Sequence, residues 1–221
     1  MIKKAILLTS FLLILYSVFV EPNMLFVEHL KLQSDKMPKL RIVFLSDFHL
    51  DKKSEKRLSK IVNKVNELNA DIIISGGDYA YSHDINKTLD LDLAGSILSK
   101  LKSKYGFYSV LGNHDYYKDG DIIKKTLKNY NIKILENSNV KINTKDGKYF
   151  YLAGISDMLT THYDLSKALK NTKSPVILIS HTPDITPYAS NLVDLILSGH
   201  LHGGQVRLPF LGAIIVPSKY G

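Results

Sequence analysis

The sequence contains no cysteine and no tryptophan among its 221 residues. Without cysteine, disulfide bonds, thiolate zinc sites and cysteine nucleophiles are excluded. Internal repeats, low-complexity linkers and arginine-rich runs are also missing, and the lysines are scattered. The chain also lacks the interleaved aromatic and basic residues that are typical of single-strand nucleic-acid binding. We do not expect a nucleic-acid ligand, and no pattern in the sequence indicates a protein partner.

The composition is that of one folded domain with a surplus of positive charge. A hydrophobic content of 45% over 221 residues is enough to bury one core. The formal net charge is +8 and the pI is near 9.3. This balance favours anionic partners such as phosphate groups or anionic lipid headgroups. A generally lysine-rich proteome explains the same surplus equally well.

The N-terminus has the charge and hydropathy pattern of a membrane anchor. Lys3 and Lys4 precede Ala5–Val20, an apolar run of sixteen residues. No small-x-small cleavage site follows, and a bilayer is crossed comfortably by about 20 residues. We predict an uncleaved, single-pass signal-anchor helix in residues 1–22, with the domain on the extracytoplasmic side. The alternatives are an interfacial anchor, or a second membrane contact that keeps the domain cytoplasmic.

A polar connection, residues 23–39, leads to a region that alternates between short apolar runs and helical stripes. The predicted strands are Arg41–Ser46, Asp71–Ser75, Phe107–Leu111, Ile132–Leu135, Asn139–Ile142, Tyr149–Ala153, Pro175–Ser180 and Asp194–Ser198. The predicted helices are Ser54–Asn69, Lys87–Lys104, Gly120–Tyr130 and Asp164–Leu169. Such alternation indicates an α/β domain, which we place at residues 40–221.

Five of the apolar strands end in residues that can bind a metal or act as an acid or base. These residues are Asp47, His49, Asp78, Asn113, His114, His181, His200 and His202. In open α/β sheets, sites form outside the carboxyl ends of strands, so these ends are expected to converge on one rim. Five of the eight histidines fall in these positions, which random scatter would not readily produce.

The stretch Ser198–Gln205 carries two of these histidines, His200 and His202, beside a pair of glycines. In extended backbone, residues i and i+2 point to the same side, so both imidazoles would project together. Taken alone, the stretch is more typical of surface histidines in a glycine-rich turn. The other strand ends favour a metal site.

The residue types indicate which metals would bind. Oxygen and nitrogen donors without thiolates suit Mn, Fe or Zn. The seven candidate ligands are Asp47, His49, Asp78, Asn113, His181, His200 and His202. Seven is too many for one open site and fits two ions that share a bridging carboxylate. Paired ions roughly 3.5–4 Å apart activate a bridging hydroxide for in-line phosphoryl displacement.

Five separated motifs resemble those of the calcineurin-like metallophosphoesterases. In chain order they are D-x-H at Asp47 and His49, G-D at Gly77 and Asp78, G-N-H-D at Gly112–Asp115, the lone His181, and G-H-x-H at Gly199–His202. The contexts SHTPD (Ser180–Asp184) and SGHLHGGQVRLP (Ser198–Pro209) are similar to those of the membrane-anchored bacterial phosphodiesterase subgroup. The resemblance covers Leu40–Gly221.

The resemblance implies a fold and a role for each motif residue. The fold would be two packed mixed β-sheets flanked by α-helices, a four-layer αββα arrangement. Asp47, His49 and His202 would hold the first ion, and Asn113, His181 and His200 the second, with Asp78 bridging them. His114 would not bind metal but would lie over the phosphate as general acid or transition-state donor. Asp115 would fix the ring of His114.

We therefore predict a metal-dependent phosphoesterase that hydrolyses phosphodiester or monoester bonds at a dinuclear centre. One alternative is a membrane-associated pyrophosphohydrolase acting on a UDP-linked sugar lipid of the UDP-2,3-diacylglucosamine type. Another is a non-catalytic membrane module that has kept its metals, and a third is a nuclease. Turnover of a UDP-linked acyl sugar would indicate the pyrophosphohydrolase, and bound metal without turnover would indicate the non-catalytic module. An affinity for nucleic acid that falls steeply with salt would indicate the nuclease.

Several residues have simpler interpretations or no assigned role. Taken singly, Asp78 could be a turn residue, Asn113 a helix N-cap, Asp115 an N-terminal helix charge and His181 a loop histidine. No role is assigned to His29, His83, His162, Asp51 or Asp157, and Tyr79 and Tyr81 are expected to shape substrate access. Members of the resembled family usually continue past the position of Gly221, so we expect the closing strands of the second sheet to be missing, leaving a fragment or an exposed edge.

Overall fold

The computed structural model describes residues 2–16, 19, 24–82, 84–117, 119–203, 205–208, 212–216 and 218. His83, and Gly204 and Pro209 of the last motif, lie outside the described residues. The chain divides into two compact units, Met1–Gln33 and Ser34–Gly221.

The first unit contains helix α1 (Ile2–Leu15), which has 14 residues. At 1.5 Å per residue this helix is about 21 Å long, whereas the hydrocarbon core of a bilayer is about 30 Å thick. Within the described part of the chain, no helix combines the length and the apolar character needed to cross a membrane. The predicted membrane-spanning helix is thus not found there.

The second unit begins with a four-stranded sheet. Its strands are β1 (Ile42–Leu45), β2 (Ile72–Ser75), β3 (Phe107–Ser109) and β4 (Ile132–Ile134), in that spatial order. The connections run through α2 (Glu55–Glu67), α3 (Leu91–Leu98), and α4 (Asn113–Tyr116) with α5 (Gly120–Asn129). All three strand pairs are parallel, because a helical crossover returns the chain to the same edge. The prediction that both sheets are mixed is wrong for this one.

A second four-stranded sheet follows and is mixed, as predicted. Its strands are β5 (Ser138–Asn143), β6 (Tyr149–Gly154), β7 (Val176–Ser180) and β8 (Leu195–Ser198). β5 and β6 are antiparallel because a tight turn at Gly147, with φ of 79°, joins them. Helices α6 (Leu165–Ala168) and α7 (Thr186–Ala189) lie in the crossovers of the parallel strands. A separate antiparallel pair, β9 (Gln205–Leu208) and β10 (Gly212–Ile215), was not predicted.

Three apolar clusters define the layers. Ile73 of β2 packs with Leu58 of α2 in the first cluster, on the helical face of the parallel sheet. Ile72 and Ile74 point to the opposite face, since side chains alternate along a strand, and join Phe150 of β6 in a cluster between the sheets. The third cluster lies between the second sheet and α6 and α7. The predicted α/β fold of two sheets with flanking helices is confirmed.

Helix α3 is much shorter than the predicted Lys87–Lys104. Its first turn is set by Asp90, whose carboxylate accepts a hydrogen bond from the Leu93 N–H at 2.8 Å. After the helix, the Asn66 side chain donates to the Lys100 carbonyl at 3.0 Å and accepts from the Lys102 N–H at 2.8 Å. These bonds hold the following residues in a loop against α2, so the apolar periodicity overestimated the helix.

Candidate metal centre

The carboxyl ends of both sheets meet at one rim, where the predicted site residues are brought together. Asp78 lies at the centre of this cluster and is fully buried. Its Oδ2 is 3.3 Å from His181 Nε2 and 3.6 Å from His49 Nε2. Its Oδ1 accepts a hydrogen bond from the His114 backbone N–H at 2.9 Å. Asp78 therefore faces donors from both sheets at once.

Asp47, His49 and His202 form a compact group of donors on one side of Asp78. Their ligand atoms all lie within 4.8 Å of one another. His49 Nε2 is 3.1 Å from His202 Nε2, and His202 Nε2 is 3.6 Å from Asp47 Oδ1. Two imidazole nitrogens and a carboxylate at this spacing can converge on one ion.

The donors on the other side of Asp78 come from β7, β8 and the start of α4. His181 Nε2 is 3.0 Å from Asn113 Oδ1, and His181 Nδ1 is 2.7 Å from the Gly76 carbonyl oxygen. Ligand atoms of His181, Asp47 and Asp78 all lie within 4.8 Å of one another. The ring of His200 lies 5.1 Å from that of His181. None of the three groups of His and Asp donors that the described residues form includes His200, so its role as a ligand of the second ion stays a prediction.

The backbone of His200 has a contact that the sequence did not indicate. Its N–H donates to both carboxylate oxygens of Asp47, at 3.0 Å each. The last motif is thereby tied to the first across 153 positions of sequence. The bond also fixes the orientation of the Asp47 carboxylate beside His202.

His114 lies in the first turn of α4 and faces the first donor group. Its ring is 4.6 Å from the His49 ring in an edge-to-face arrangement. A ring nitrogen of His114 lies within 4.8 Å of donor atoms of His49 and Asp78. The ring of Tyr117 is 6.0 Å away. The imidazole of His114 is thus close enough to the cluster to act on a group held there.

Asp115 has a different role from the predicted one of fixing the His114 ring. Its buried carboxylate accepts hydrogen bonds from four backbone N–H groups, those of Asp78, Tyr79, Ala80 and Gly112, at 2.9–3.0 Å. It therefore holds the loop that carries Asp78. Burial, with repulsion from Asp78, raises the pKa of Asp115 to about 7.

The backbone at the rim adopts conformations that are rare for residues with side chains. Five predicted ligands have φ between 41° and 70°: Asp47, His49, Asp78, His200 and His202. Such left-handed backbone costs on the order of 1–3 kcal/mol per residue and persists only where the surroundings enforce it. The N–H groups of Asp47 and His49 donate to the carbonyls of Gly77 and Asp78, both at 3.0 Å. These bonds clamp the first two motif loops together.

Two motif glycines permit the close approach of these loops. A Cβ on Gly112 would contact Asp78 Oδ1 and would come within 2.6 Å of the His181 ring. Gly77 has φ of 93°, and a Cβ there would lie 2.7 Å from the Leu111 carbonyl carbon. Both positions thus require glycine because the backbone passes against ligand side chains or a neighbouring strand end.

The electrostatics of the cluster suit a cation. Burial lowers the pKa values of His49 and His200, which keeps both imidazoles neutral with a free lone pair. Burial also opposes charging of His181, but the hydrogen bond and charge of Asp78 outweigh it and raise the pKa of His181 to about 9. The carboxylates thus create a field that stabilises positive charge. With its oxygen and nitrogen donors, the site fits divalent ions of the Mn, Fe or Zn type.

Tyr79 does not have the predicted role in substrate access. Its side chain is only 2% exposed. The ring stacks on Phe48 with centroids 5.0 Å apart, and the hydroxyl donates to Ser109 Oγ at 2.8 Å. Tyr79 is therefore a core residue beneath the rim, whereas Tyr81 is 45% exposed.

Asp157, to which no role was assigned, shapes the turn after β6. Its Oδ2 accepts hydrogen bonds from the backbone N–H groups of Leu159 and Thr160, at 3.1 and 2.9 Å. The Thr160 hydroxyl donates to the same oxygen at 2.7 Å. An aspartate whose carboxylate accepts from N–H groups two and three residues later is a common turn signal in sequences, and this signal could have identified Asp157.

Comparison with known proteins identifies a family and several relatives of this chain. A sequence profile described as calcineurin-like phosphoesterase matches residues 40–204. A transmembrane protein with a metallophosphoesterase domain from Danio rerio is 34% identical over 194 residues, covering 78% of this chain and 43% of that protein. An uncharacterized metallophosphoesterase from Aquifex aeolicus is 32% identical over 208 residues, covering 89% and 76%. The metallophosphoesterase YkuE of Bacillus subtilis, also uncharacterized, is 29% identical over 215 residues, covering 93% and 74%.

Fold, donor set and relatives together place the chain in the class of metallophosphoesterases. Within that class, the chain belongs to the calcineurin-like phosphoesterase family. It spans less than half the length of the Danio rerio relative.

Proposed function

We propose that this chain is a metal-dependent phosphoesterase that hydrolyses phosphodiester bonds at a centre of two divalent ions. The observation that carries the proposal is the position of buried Asp78, with donors from both sheets within 3.6 Å of one carboxylate oxygen. The proposed ligands of the first ion are Asp47, His49 and His202, and those of the second are Asn113, His181 and His200, with Asp78 shared. The preference for diesters rests on the similarity of the SHTPD and SGHLHGGQ contexts to the bacterial phosphodiesterase subgroup.

When bound, two divalent ions neutralise phosphoryl oxygens and lower the pKa of water enough to supply a nucleophile near neutral pH. The residues of the chain orient the substrate and handle the proton. His114 is held by its backbone bond to Asp78 at 2.9 Å, with its ring beside that of His49. From there its imidazole can donate a hydrogen bond to a phosphoryl oxygen, or a proton to the leaving oxygen. The net charge of +8 favours approach of an anionic ester.

The reaction itself is tested with two chromogenic substrates. We expect the full chain with added Mn²⁺ to hydrolyse bis-p-nitrophenyl phosphate faster than p-nitrophenyl phosphate. Chelation should reduce both rates at least about 100-fold, because the ions contribute several kcal/mol of transition-state stabilisation. Re-addition of Mn²⁺, Fe²⁺ or Zn²⁺ should restore turnover and rank the metals. If folded, metal-loaded protein hydrolyses neither ester, the enzymatic proposal is wrong.

We also propose that the first unit attaches the protein to a membrane. Large apolar side chains of α1 are exposed to an extent unusual for a helix in water, including Leu7 at 71% and Phe11 at 56%. Lys3 and Lys4 precede them, as in an anchor with a cytoplasmic N-terminus. Relatives from Danio rerio and Bos taurus are named as transmembrane proteins.

If the first unit attaches the protein to a membrane, charged substitutions in α1 should change how the protein partitions between the membrane pellet and the supernatant. The full chain should remain in the membrane pellet after a high-salt wash, and the double substitution Leu8→Lys, Leu12→Lys should move most of it to the supernatant. The reason is that each lysine near the middle of an inserted helix costs about 2.5–3.5 kcal/mol. The matched control Leu30→Lys, Leu32→Lys places the same charges in the connecting segment and should stay in the pellet. Full-length protein in the supernatant would contradict the attachment.

A further inference from the structure

We propose that Arg57 is a positioning residue, which fixes the backbone around His49 and thereby sets the affinity of the site for its first divalent ion. Arg57 belongs to α2, which follows the D-x-H motif. The inference rests on the metal centre proposed above. Arg57 lies outside every motif, and its position on a predicted helix gave no functional signal.

The contacts of Arg57 converge on the residue it would control. Its Nη2 donates to the Phe48 carbonyl oxygen at 2.6 Å, to the His49 carbonyl oxygen at 3.1 Å and to Ser54 Oγ at 3.2 Å. The two carbonyls belong to the two peptide units on either side of the His49 Cα atom. A single guanidinium nitrogen therefore ties down both peptide planes that determine where the His49 side chain points.

The other polar atoms of these two peptide units are also bonded. The His49 N–H donates to the Asp78 carbonyl, and the Leu50 N–H donates to the Tyr79 carbonyl, both at 3.0 Å. All four polar atoms that flank His49 thus have a partner. Two of these four bonds, those of the N–H groups, attach the loop to the backbone at Asp78 and Tyr79. The other two, from Arg57, hold the carbonyl ends of the same two planar peptide units.

The backbone conformation that these bonds hold at His49 is an unfavourable one. His49 has φ of 41°, in the left-handed region that residues with a Cβ rarely adopt. Without Arg57 the Phe48 and His49 carbonyls lose a charged donor, and the backbone can relax towards the extended or right-handed regions. That relaxation would carry His49 Nε2 away from His202 Nε2, which now lies 3.1 Å from it.

An ordinary surface role for Arg57 does not fit these contacts. Within the described part of the chain Arg57 forms no ion pair with a carboxylate, and its three acceptors are two carbonyls and a hydroxyl. The guanidinium suits this arrangement because it is always charged and its donors are arranged in a rigid plane. Lysine, with a single flexible ammonium, should reproduce it only in part.

The test measures Mn²⁺ binding directly, by electron paramagnetic resonance titration of the metal-stripped full chain in detergent. Arg57→Met keeps the length and apolar stem of the side chain but removes all its donors. Its matched control is Arg41→Met, because Arg41 Nη1 also donates to a backbone carbonyl, that of Leu68 at 2.9 Å, beside the opposite end of β1. The unfolding temperature of each metal-free variant is measured in parallel.

We expect wild type to bind two equivalents of Mn²⁺. In R57M one equivalent should bind about 10- to 100-fold more weakly, the range for residues that orient metal ligands, while R41M binds as wild type and R57K lies between. Wild-type affinity in R57M would overturn the inference alone, whereas wild type without Mn²⁺ binding would overturn the metal centre. If metal-free R57M unfolds early and R57K binds as wild type, Arg57 is merely structural and the inference is likewise wrong.

Discussion

Replacing Asp78 with asparagine is expected to lower kcat/KM for a phosphodiester at least about a thousand-fold and to reduce the bound metal below two equivalents. Asparagine has nearly the shape of aspartate and can still accept the 2.9 Å hydrogen bond from the His114 N–H. It lacks the negative charge that faces His49 and His181 at 3.6 and 3.3 Å. The loss of activity and of bound metal in this variant therefore measures the contribution of the negative charge that lies between the two donor groups.

The Asp78→Asn result is measured as steady-state hydrolysis of bis-p-nitrophenyl phosphate, together with metal content by X-ray fluorescence. Asp146→Asn is the control, since it removes a carboxylate beside the β5–β6 turn, where Asp146 Oδ1 accepts from the Thr144 hydroxyl at 2.5 Å. It should change kcat/KM less than about twofold. Asp78→Asn with near-normal activity and two bound ions would mean that Asp78 does not bridge the centre.

Replacing His114 with alanine is expected to lower kcat by about 10²- to 10⁴-fold, the usual contribution of a positioned acid or base, while leaving two ions bound. The reason is that the His114 imidazole lies beside the ligands, with its ring 4.6 Å from that of His49, and would act on the ester. The loss should be smaller for an ester with a good leaving group, because such a group leaves without protonation.

The same variant distinguishes the proposed role from metal binding. A ring nitrogen of His114 lies within 4.8 Å of donor atoms of His49 and Asp78, so the geometry also permits a ligand. Loss of one equivalent of Mn²⁺ in His114→Ala would identify His114 as a ligand and contradict its role as an acid. The control is His162→Ala, an exposed histidine outside the motifs, which should retain both activity and metal.

Residue types and order along the chain were sufficient to predict the rim. Apolar runs such as β2, whose residues are all buried, ended where the sequence placed Asp, His or Asn. Parallel crossovers then brought those ends to one edge. In the structure β7 and β8 are paired with Ser180 beside Ser198, and the rings of His181 and His200, which follow these strands, have centroids 5.1 Å apart.

The supporting residues could not be predicted in this way. The N–H groups that donate to the Asp115 carboxylate lie up to 37 positions away, and no local pattern states which N–H groups a buried carboxylate will meet. Tyr79 follows the G-D motif directly, but its ring is buried because the chain turns inward there and stacks it on Phe48. Arg57 resembles any basic residue on an amphipathic helix until its two carbonyl partners are located.

The bond between the first and last motifs has a consequence for how the protein is made. His49 and His202 face each other across 153 positions of the chain. During synthesis the residues of the D-x-H and G-D motifs leave the ribosome long before β8 and the final histidines. A complete donor set for either proposed ion therefore exists only after both sheets have assembled. Binding of the proposed ions with their full donor sets would therefore come late in biogenesis and would stabilise a domain that has already folded.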